Sequence, residues 1–161
     1  EDWEAYKALR LESLKDSPDS FGSTFDREVE FTEKEWKSRL MPSVDSVHVL
    51  PLVALSNGKP VGLASGAAHT QEADTAHIYQ MWVSKSHRGS GIGRALLKII
   101  EVWANELQIK SLSLVVTTSN SEAVSLYQST GFIPSGASEP LREGSELLAQ
   151  PMVLELQSSN A

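Results

Sequence analysis

The 161-residue chain has no cysteine. That absence excludes disulfides, thiolate metal sites, iron–sulfur clusters and a cysteinyl acyl-enzyme. It fits a reducing compartment, and a cytoplasmic location is expected. Basic residues are also scarce. Fourteen Lys and Arg stand against 21 Asp and Glu, for a net charge of −7. Bulk nucleic-acid binding needs many phosphate-neutralising cations, so no nucleic-acid partner is expected, whereas a cationic or amine partner is compatible with the charge. No apolar run approaches the roughly 20 residues of a membrane span, and the opening Glu1-Asp2-Trp3-Glu4 is too acidic for a signal or transit peptide. Repeats, low-complexity tracts and domain-splitting linkers are lacking too, so residues 1–161 read as one domain. With 40% apolar and 22% charged residues the chain can bury one sizeable core.

Apolar periodicity and turn residues supply a coarse layout. Asp2 is placed to cap a helix from about Trp3 to Lys15, ended by Pro18. Thr32-Glu33-Lys34-Glu35 reads as a capping box, opening a short helix to about Leu40 that Pro42 stops. A strand from His48 to Leu55, an Asn57-Gly58 turn and a strand from Val61 to His69 form a hairpin, with Gly62 and Gly66 marking a bulge or close approach. In a third strand, Thr75 to Ser84, strict alternation puts Ala76, Ile78, Gln80 and Trp82 on one face and His77, Tyr79, Met81 and Val83 on the other. A long amphipathic helix runs to about Leu107. Ser111 to Thr117 reads as a strand buried on both faces. Asn120 opens another helix, stopped by Gly131. Phe132 starts a strand, Ser135 to Gln150 reads as loop, and Met152 to Leu156 is the final strand. The fold class is α/β or α+β, a sheet with helices packed on it.

The third strand runs into a basic, glycine-rich turn, His87-Arg88-Gly89-Ser90-Gly91-Ile92-Gly93, and then the long helix. Closely spaced glycines at a helix start expose successive N–H groups, which with the helix dipole suit a phosphate or pyrophosphate. Arg88 and Arg94 flank the turn and can add charge-assisted bonds. The nucleoside-triphosphatase loop requires Lys after its last glycine, and none follows Gly93. The dinucleotide fingerprint requires G-x-G-x-x-G, whereas here Gly89, Gly91 and Gly93 alternate.

Arg88-Gly89-Ser90-Gly91-Ile92-Gly93 matches R-x-x-G-x-G and resembles the coenzyme A pyrophosphate loop of the GNAT superfamily of N-acetyltransferases. The segment from Asn120 through Ala123, Leu126 and Tyr127 to Gly131-Phe132 resembles that family's N-x-x-A-x-x-L-Y-x-x-x-G-F motif. The resemblance covers about Val61 to Phe132, and it implies a mixed, mostly antiparallel sheet flanked by helices. There are two departures. No strand precedes the first helix and the chain lacks an initial Met, so a few leading residues are expected before Glu1. The usual V-x-P is Val83-Ser84-Lys85, which relaxes the turn without removing a catalytic group.

The resemblance implies direct acetyl transfer from acetyl-CoA, as cosubstrate, to the primary amine of a small-molecule or peptide acceptor. It assigns the diphosphate to the turn from Arg88 to Arg94 (Arg88, Gly89, Ser90, Gly91, Ile92, Gly93, Arg94) and the pantetheine arm to Asn120 and Ala123. It points to the backbone N–H of Val83 as the donor that stabilises the carbonyl oxygen, and to Tyr127 as the group beside the leaving sulfur. The amine proton usually goes to a Glu or His on the strand before the loop, sometimes through water. His77 is the best candidate, on the face that alternation shares with Val83, and Tyr79 is a second candidate able to order a water. His48 and His69 read as structural or exposed, and His87 as facing solvent or a phosphate. No metal is implied, since the four histidines show no i, i+4 pair or His–carboxylate cluster of ligand type. The loops Ser17–Phe31 and Pro134–Gln150 border the acceptor side, and their acids (Asp19, Asp26, Glu28, Glu139, Glu143, Glu146) are either a rim attracting a cation or, preferred here, a solvated surface. The acceptor's identity and the oligomeric state, a homodimer included, stay open. So do two rival readings: a non-catalytic acyl-CoA-binding module, motivated by the lack of Glu at the usual base position, and a nucleotide-binding protein.

Overall fold

The computed structural model describes residues 2–41, 43, 44 and 47–156. Helix α1 (Asp2–Asp16) begins at Asp2 itself, which therefore lies in the first turn instead of capping it. Tyr6, Leu9, Arg10, Ser13 and Leu14 form its buried stripe at helical spacing. Thr24 caps the single-turn α2 (Phe25–Glu28), its hydroxyl accepting the Arg27 N–H at 3.2 Å. The capping box of α3 (Glu33–Ser38) is formed as expected. The Glu35 N–H donates to the Thr32 hydroxyl at 3.2 Å and the Thr32 N–H to the Glu35 carboxylate at 2.7 Å. The stop expected at Pro42 lies outside the described residues.

Among the described residues eight strands make one sheet: β1 (Ser43–Val44), β2 (Val47–Ser56), β3 (Lys59–His69), β4 (Thr75–Val83), β5 (Ser111–Thr117), β6 (Ile133–Pro134), β7 (Glu139–Pro140) and β8 (Leu148–Glu155). Their order is β1-β2-β3-β4-β5-β8-β6, with β7 also pairing β8. Among the described residues only β4 and β5 run parallel, so the sheet is mixed and mostly antiparallel, as expected. The β2–β3 turn has Asn57 and Gly58 at φ 51° and 78°, the double positive-φ geometry this dipeptide permits.

Helix α4 (Ile92–Glu106) lies on one face of the sheet and α5 (Ser121–Ser129) on the same side; Leu96, Ile100 and Ala104 pack with Ala64, Ala68, Ala76, Leu112, Leu114 and Tyr127. One strand glycine admits α4: a Cβ on Gly66 would stand 2.8 Å from the Trp103 ring. Gly62 instead admits the neighbouring strand, since a Cβ there would stand 3.1 Å from the Trp82 carbonyl. On the opposite face α1 and α3 bury Tyr6, Leu9, Leu14 and Trp36 with Leu63 and Trp82. None of the described helices is long and apolar enough to cross a membrane.

Three expectations change. The stretch read as loop from Ser135 to Gln150 contains β7, and the last strand begins four residues early, at Leu148. Pro151 disguised it. The Pro151 carbonyl accepts the Ser135 N–H at 2.8 Å, so the missing proline N–H faces the point where β6 has ended and costs the β5 ladder nothing. Strand β5 is buried along one face, but on the other only its ends, Ser111 and Thr117, are buried, and Val115 between them is 61% exposed. The third change matters for the site. Leu63 pairs with Trp82 but Ser65 with Tyr79, so β4 carries one extra residue opposite Ala64. Gln80 sits there at φ 61°. The bulge breaks the alternation: Ala76 and Ile78 pack beneath α4, while Trp82 joins the α1 side. His77 and Tyr79 therefore share a face with Trp82, and the Val83 side chain lies opposite them, near Gly93 of α4.

Candidate active site

The site grows from the parting of two strands. β4 and β5 pair over Thr75–His77 and Ser111–Ser113 and then diverge. The Ser84 N–H donates to the Val61 carbonyl at 2.7 Å, which makes the neighbouring Gly62–Val83 pair the non-hydrogen-bonded kind. The Val83 N–H and C=O thus point away from β3, toward the opening beside β5.

Past Val83 the chain makes one tight turn, Lys85–His87, and reaches the glycines. Gly89 and Gly91 hold φ 79° and 90°, and a Cβ on either would meet nothing within 4 Å. The loop is therefore an open cradle of backbone. Gly91 is the N-cap of α4 and has no side-chain cap. The first intrahelical bond runs from the Ala95 N–H to the Gly91 carbonyl at 3.0 Å, so the amides of Ile92, Gly93 and Arg94 have no acceptor within the helix, an arrangement suited to an anion. The Ser90 hydroxyl turns back to the His87 carbonyl at 2.6 Å.

A cleft of about 700 Å³ opens here. It brings together Val83, Arg88, Gly89, Gly91, Ile92, Gly93, Arg94, Asn120 and Ala123 from the expected set. Asn120 caps α5 by accepting the Ala123 N–H at 3.2 Å, and its amide nitrogen donates to the Ser20 hydroxyl at 3.3 Å. Arg94 donates to the Ser129 hydroxyl at 2.8 Å. Arg88 is engaged with protein: its Nε donates to the Val83 carbonyl at 2.8 Å and its Nη2 to Asp16 at 2.9 Å. Asp16 is held below the usual carboxylate range by the Ser17 hydroxyl, Trp82 and Arg88. Burial opposes that shift.

Asp19, Ser20 and Ser119 also line the cleft; the sequence offered Asp19 as one acid of a possible acceptor rim, and it carried no signal for Ser20 or Ser119. Asp19 and Ser20 arrive from the loop after α1, where the Asp19 carbonyl accepts the Thr117 hydroxyl at 2.7 Å. No local signal announces a contact across 98 positions. His87 and Glu122 line it as well, and Met81, Trp82 and Leu126 complete the wall; the apolar character of these last three alone reads as core.

His77, Tyr79 and Tyr127 stand apart from the cleft lining. The His77 Nε2 and Glu72 Oε2 are 2.9 Å apart, and the His77 ring stacks on Tyr79 at 6.1 Å. Tyr79 is 49% exposed; burial first, then the Glu72 charge, raise its phenol above the ordinary range. Six residues of strand separate His77 from Val83, about 20 Å at ~3.3 Å per residue. Tyr127 is buried against Phe132, ring centroids 5.9 Å apart, and burial pushes its phenol well above the ordinary range. Its neighbours Ala123 and Leu126 reach the cleft. Among the described residues no group of three or more His, Asp and Glu side chains converges as metal ligands would.

Comparison with known proteins agrees with this geometry. The Acetyltransferase (GNAT) family matches residues 9–132. The chain is 33% identical over 88 residues to rat (Rattus norvegicus) N-acetyltransferase family 8 member 2, covering 52% of this chain and 38% of that protein. It is 35% identical over 63 residues to the Escherichia coli streptothricin acetyltransferase, covering 39% and 36%. The matches thus span little over a third of those relatives' own length. The solved structure of a GCN5-related N-acetyltransferase from Kribbella flavida shares the fold, with TM-score 0.75, 24% identity and coverage of 96% and 92%. The chain belongs to the GNAT family of acetyltransferases.

Proposed function

We propose that this one-domain chain moves an acetyl group from acetyl-CoA directly to a primary amine while both are bound. The observation that carries the reading is the open backbone cradle at Gly89–Arg94, which leads into the opening where the Val83 amide is free of β3. The unpaired amides of Ile92, Gly93 and Arg94 receive the diphosphate, and Asn120 and Ala123 flank the arm. The Val83 N–H donates to the thioester carbonyl oxygen as that oxygen gains charge, a contribution worth several kcal/mol (~3) when preorganised.

The acceptor approaches from the opposite face of the sheet, where His77 and Tyr79 lie. His77 takes the amine proton through a relay of several waters. The ~20 Å of strand from Val83 exceeds both direct hydrogen-bond reach and the reach of one water. Tyr79, half-exposed and nearer the opening, orders the first water of that relay. The amine nitrogen bonds the carbonyl carbon, the C–S bond breaks, and Tyr127 supplies the departing thiolate with a hydrogen bond or proton.

Acceptor class stays coarse. A cytoplasmic setting accords with the cysteine-free chain. The test is a broad amine screen with thiol detection, followed by mass spectrometry of the product. Acetyl-CoA-dependent thiol release with an N-acetylated product is expected. Tight CoA binding with no turnover on any amine would instead favour the non-catalytic module.

A further inference from the structure

The shape of the catalytic strand is held by a residue outside the cleft. Gln80 sits at φ 61°, a conformation that residues with a side chain rarely adopt. It supplies the extra residue opposite Ala64. Were Gln80 to relax and the ladder to slip into regular register, every residue after it would exchange faces. The Trp82 indole would then leave Asp16, to which it donates at 3.1 Å, and Val83 would turn away from Gly93.

One side chain opposes that relaxation. Tyr6, on α1, donates its hydroxyl to the Gln80 Oε1 at 2.5 Å across 74 positions. Tyr6 is 5% exposed and wedged edge-on against Trp36 at 5.9 Å. A phenol has few rotatable bonds, and this one is fixed by packing, so it holds its partner stiffly. It is absent from the cleft wall.

We infer that Tyr6 is a positioning residue for acetyl transfer: by fixing Gln80 in the left-handed region it maintains the bulge that presents Val83 to the cleft. This rests on the reading of the Val83 amide as the donor to the thioester carbonyl. A small displacement of that donor weakens the transition state without weakening the grip on the diphosphate, because the α4 amides are set by their own helix.

The test compares the full chain with Tyr6→Phe, Gln80→Gly and the double variant, using acetyl-CoA and an amine from the screen. Tyr6→Phe is expected to lower kcat about tenfold or more while KM for acetyl-CoA stays within about twofold. Glycine adopts positive φ without a side-chain penalty, so Gln80→Gly keeps kcat within about threefold, and adding Tyr6→Phe then costs less than about twofold. A tyrosine that only packs α1 would lower Tm equally in both backgrounds and leave kcat unchanged well below Tm. Tyr6→Phe activity within twofold of wild type, or an equal kcat loss in both backgrounds, overturns the inference. If wild type acetylates no amine, the functional reading has failed, and the amide 1H–15N shifts of Gln80, Met81 and Val83 decide Tyr6 separately. They should move in Tyr6→Phe; unchanged shifts sink the inference.

Discussion

Arg88 and Asp16 meet across 72 positions, the Arg88 Nη2 donating to the Asp16 Oδ2 at 2.9 Å while the Nε of the same side chain donates to the Val83 carbonyl at 2.8 Å. One guanidinium therefore fastens the end of β4 to the end of α1. The same aspartate oxygen accepts the Ser17 hydroxyl at 2.6 Å and the Trp82 indole at 3.1 Å. The motif arginine is a brace for the loop, and on the proposed function the backbone amides beyond it are what meets the diphosphate.

Asp16→Asn removes the charge and keeps the shape. The pair is partly exposed and screened, so the expected stability loss is only about 0.5 kcal/mol. CoA affinity, read by calorimetry, should fall roughly 3- to 10-fold as the loop loosens. A rise in affinity would mean that the freed Arg88 pairs with phosphate, and the brace reading would be wrong. The pH dependence has a definite sign. The Asp16 carboxyl is lowered in the folded state, so its stabilisation is complete above the unfolded value of about 3.9 and is lost as pH falls through the lower folded one. The stability gap between the two proteins should be constant from about pH 5 to 7 and begin to close below about pH 4.

Gly91→Glu places a carboxylate and a Cβ in the open cradle, at a position with φ 90°. CoA affinity should fall more than about 100-fold through repulsion and filling of the space. Stability should fall by about 1–2 kcal/mol from the positive φ alone, with the helical circular dichroism of α4 retained. Gly91→Ala isolates the backbone strain and should show the smaller affinity loss. Unchanged CoA affinity in Gly91→Glu would remove the diphosphate from this loop.

The features legible in the sequence are those encoded in windows of a few residues. Thr32 and Glu35 cap each other, Asn57-Gly58 makes its turn, Gly91 opens α4 and Asn120 caps α5. Each depends on local backbone chemistry that neighbours cannot override. The features that were not legible depend on distant partners. Gln80 looks like any strand residue until Tyr6 holds it, and strict alternation then assigns Val83 to the wrong side. Ser20 reaches the cleft only because Asn120 and Thr117 meet the loop that carries it.

Glu28 belongs to the same group. Among the acids of a loop read as solvated, it is 0% exposed and accepts from Arg10 at 2.9 Å and Arg39 at 2.8 Å. Burial works to raise its carboxyl, but Arg10, with Ser23 and Arg39, outweighs it and the net shift is downward. Glu28→Gln leaves the buried Arg10 and the partly buried Arg39 without their counter-charge, and a loss of about 3 kcal/mol is expected. The corresponding fall in Tm is on the order of 10 °C, with CoA affinity unchanged. A stability change within about 0.5 kcal/mol would return Glu28 to the surface.

Tyr127→Phe tests the leaving-group role. The ring stays packed against Phe132, so Tm near neutral pH should change little. CoA affinity should hold within about twofold, because no motif contact to the diphosphate is lost. Turnover should drop roughly 100-fold or more, the scale of one lost proton donor. Burial raises the phenol, so it remains a neutral O–H throughout the working range. The pH–rate profile of the variant should therefore keep the wild-type shape at a lower height. The raised phenol also carries a stability signature. Its contribution is fully present below the unfolded value near 10 and is lost as pH rises beyond it, when the unfolded chain ionises and the folded one does not. Tyr127→Phe should thus resist alkaline unfolding better than wild type. Full activity in the variant, whatever its alkaline behaviour, would take Tyr127 out of the mechanism and leave it as core.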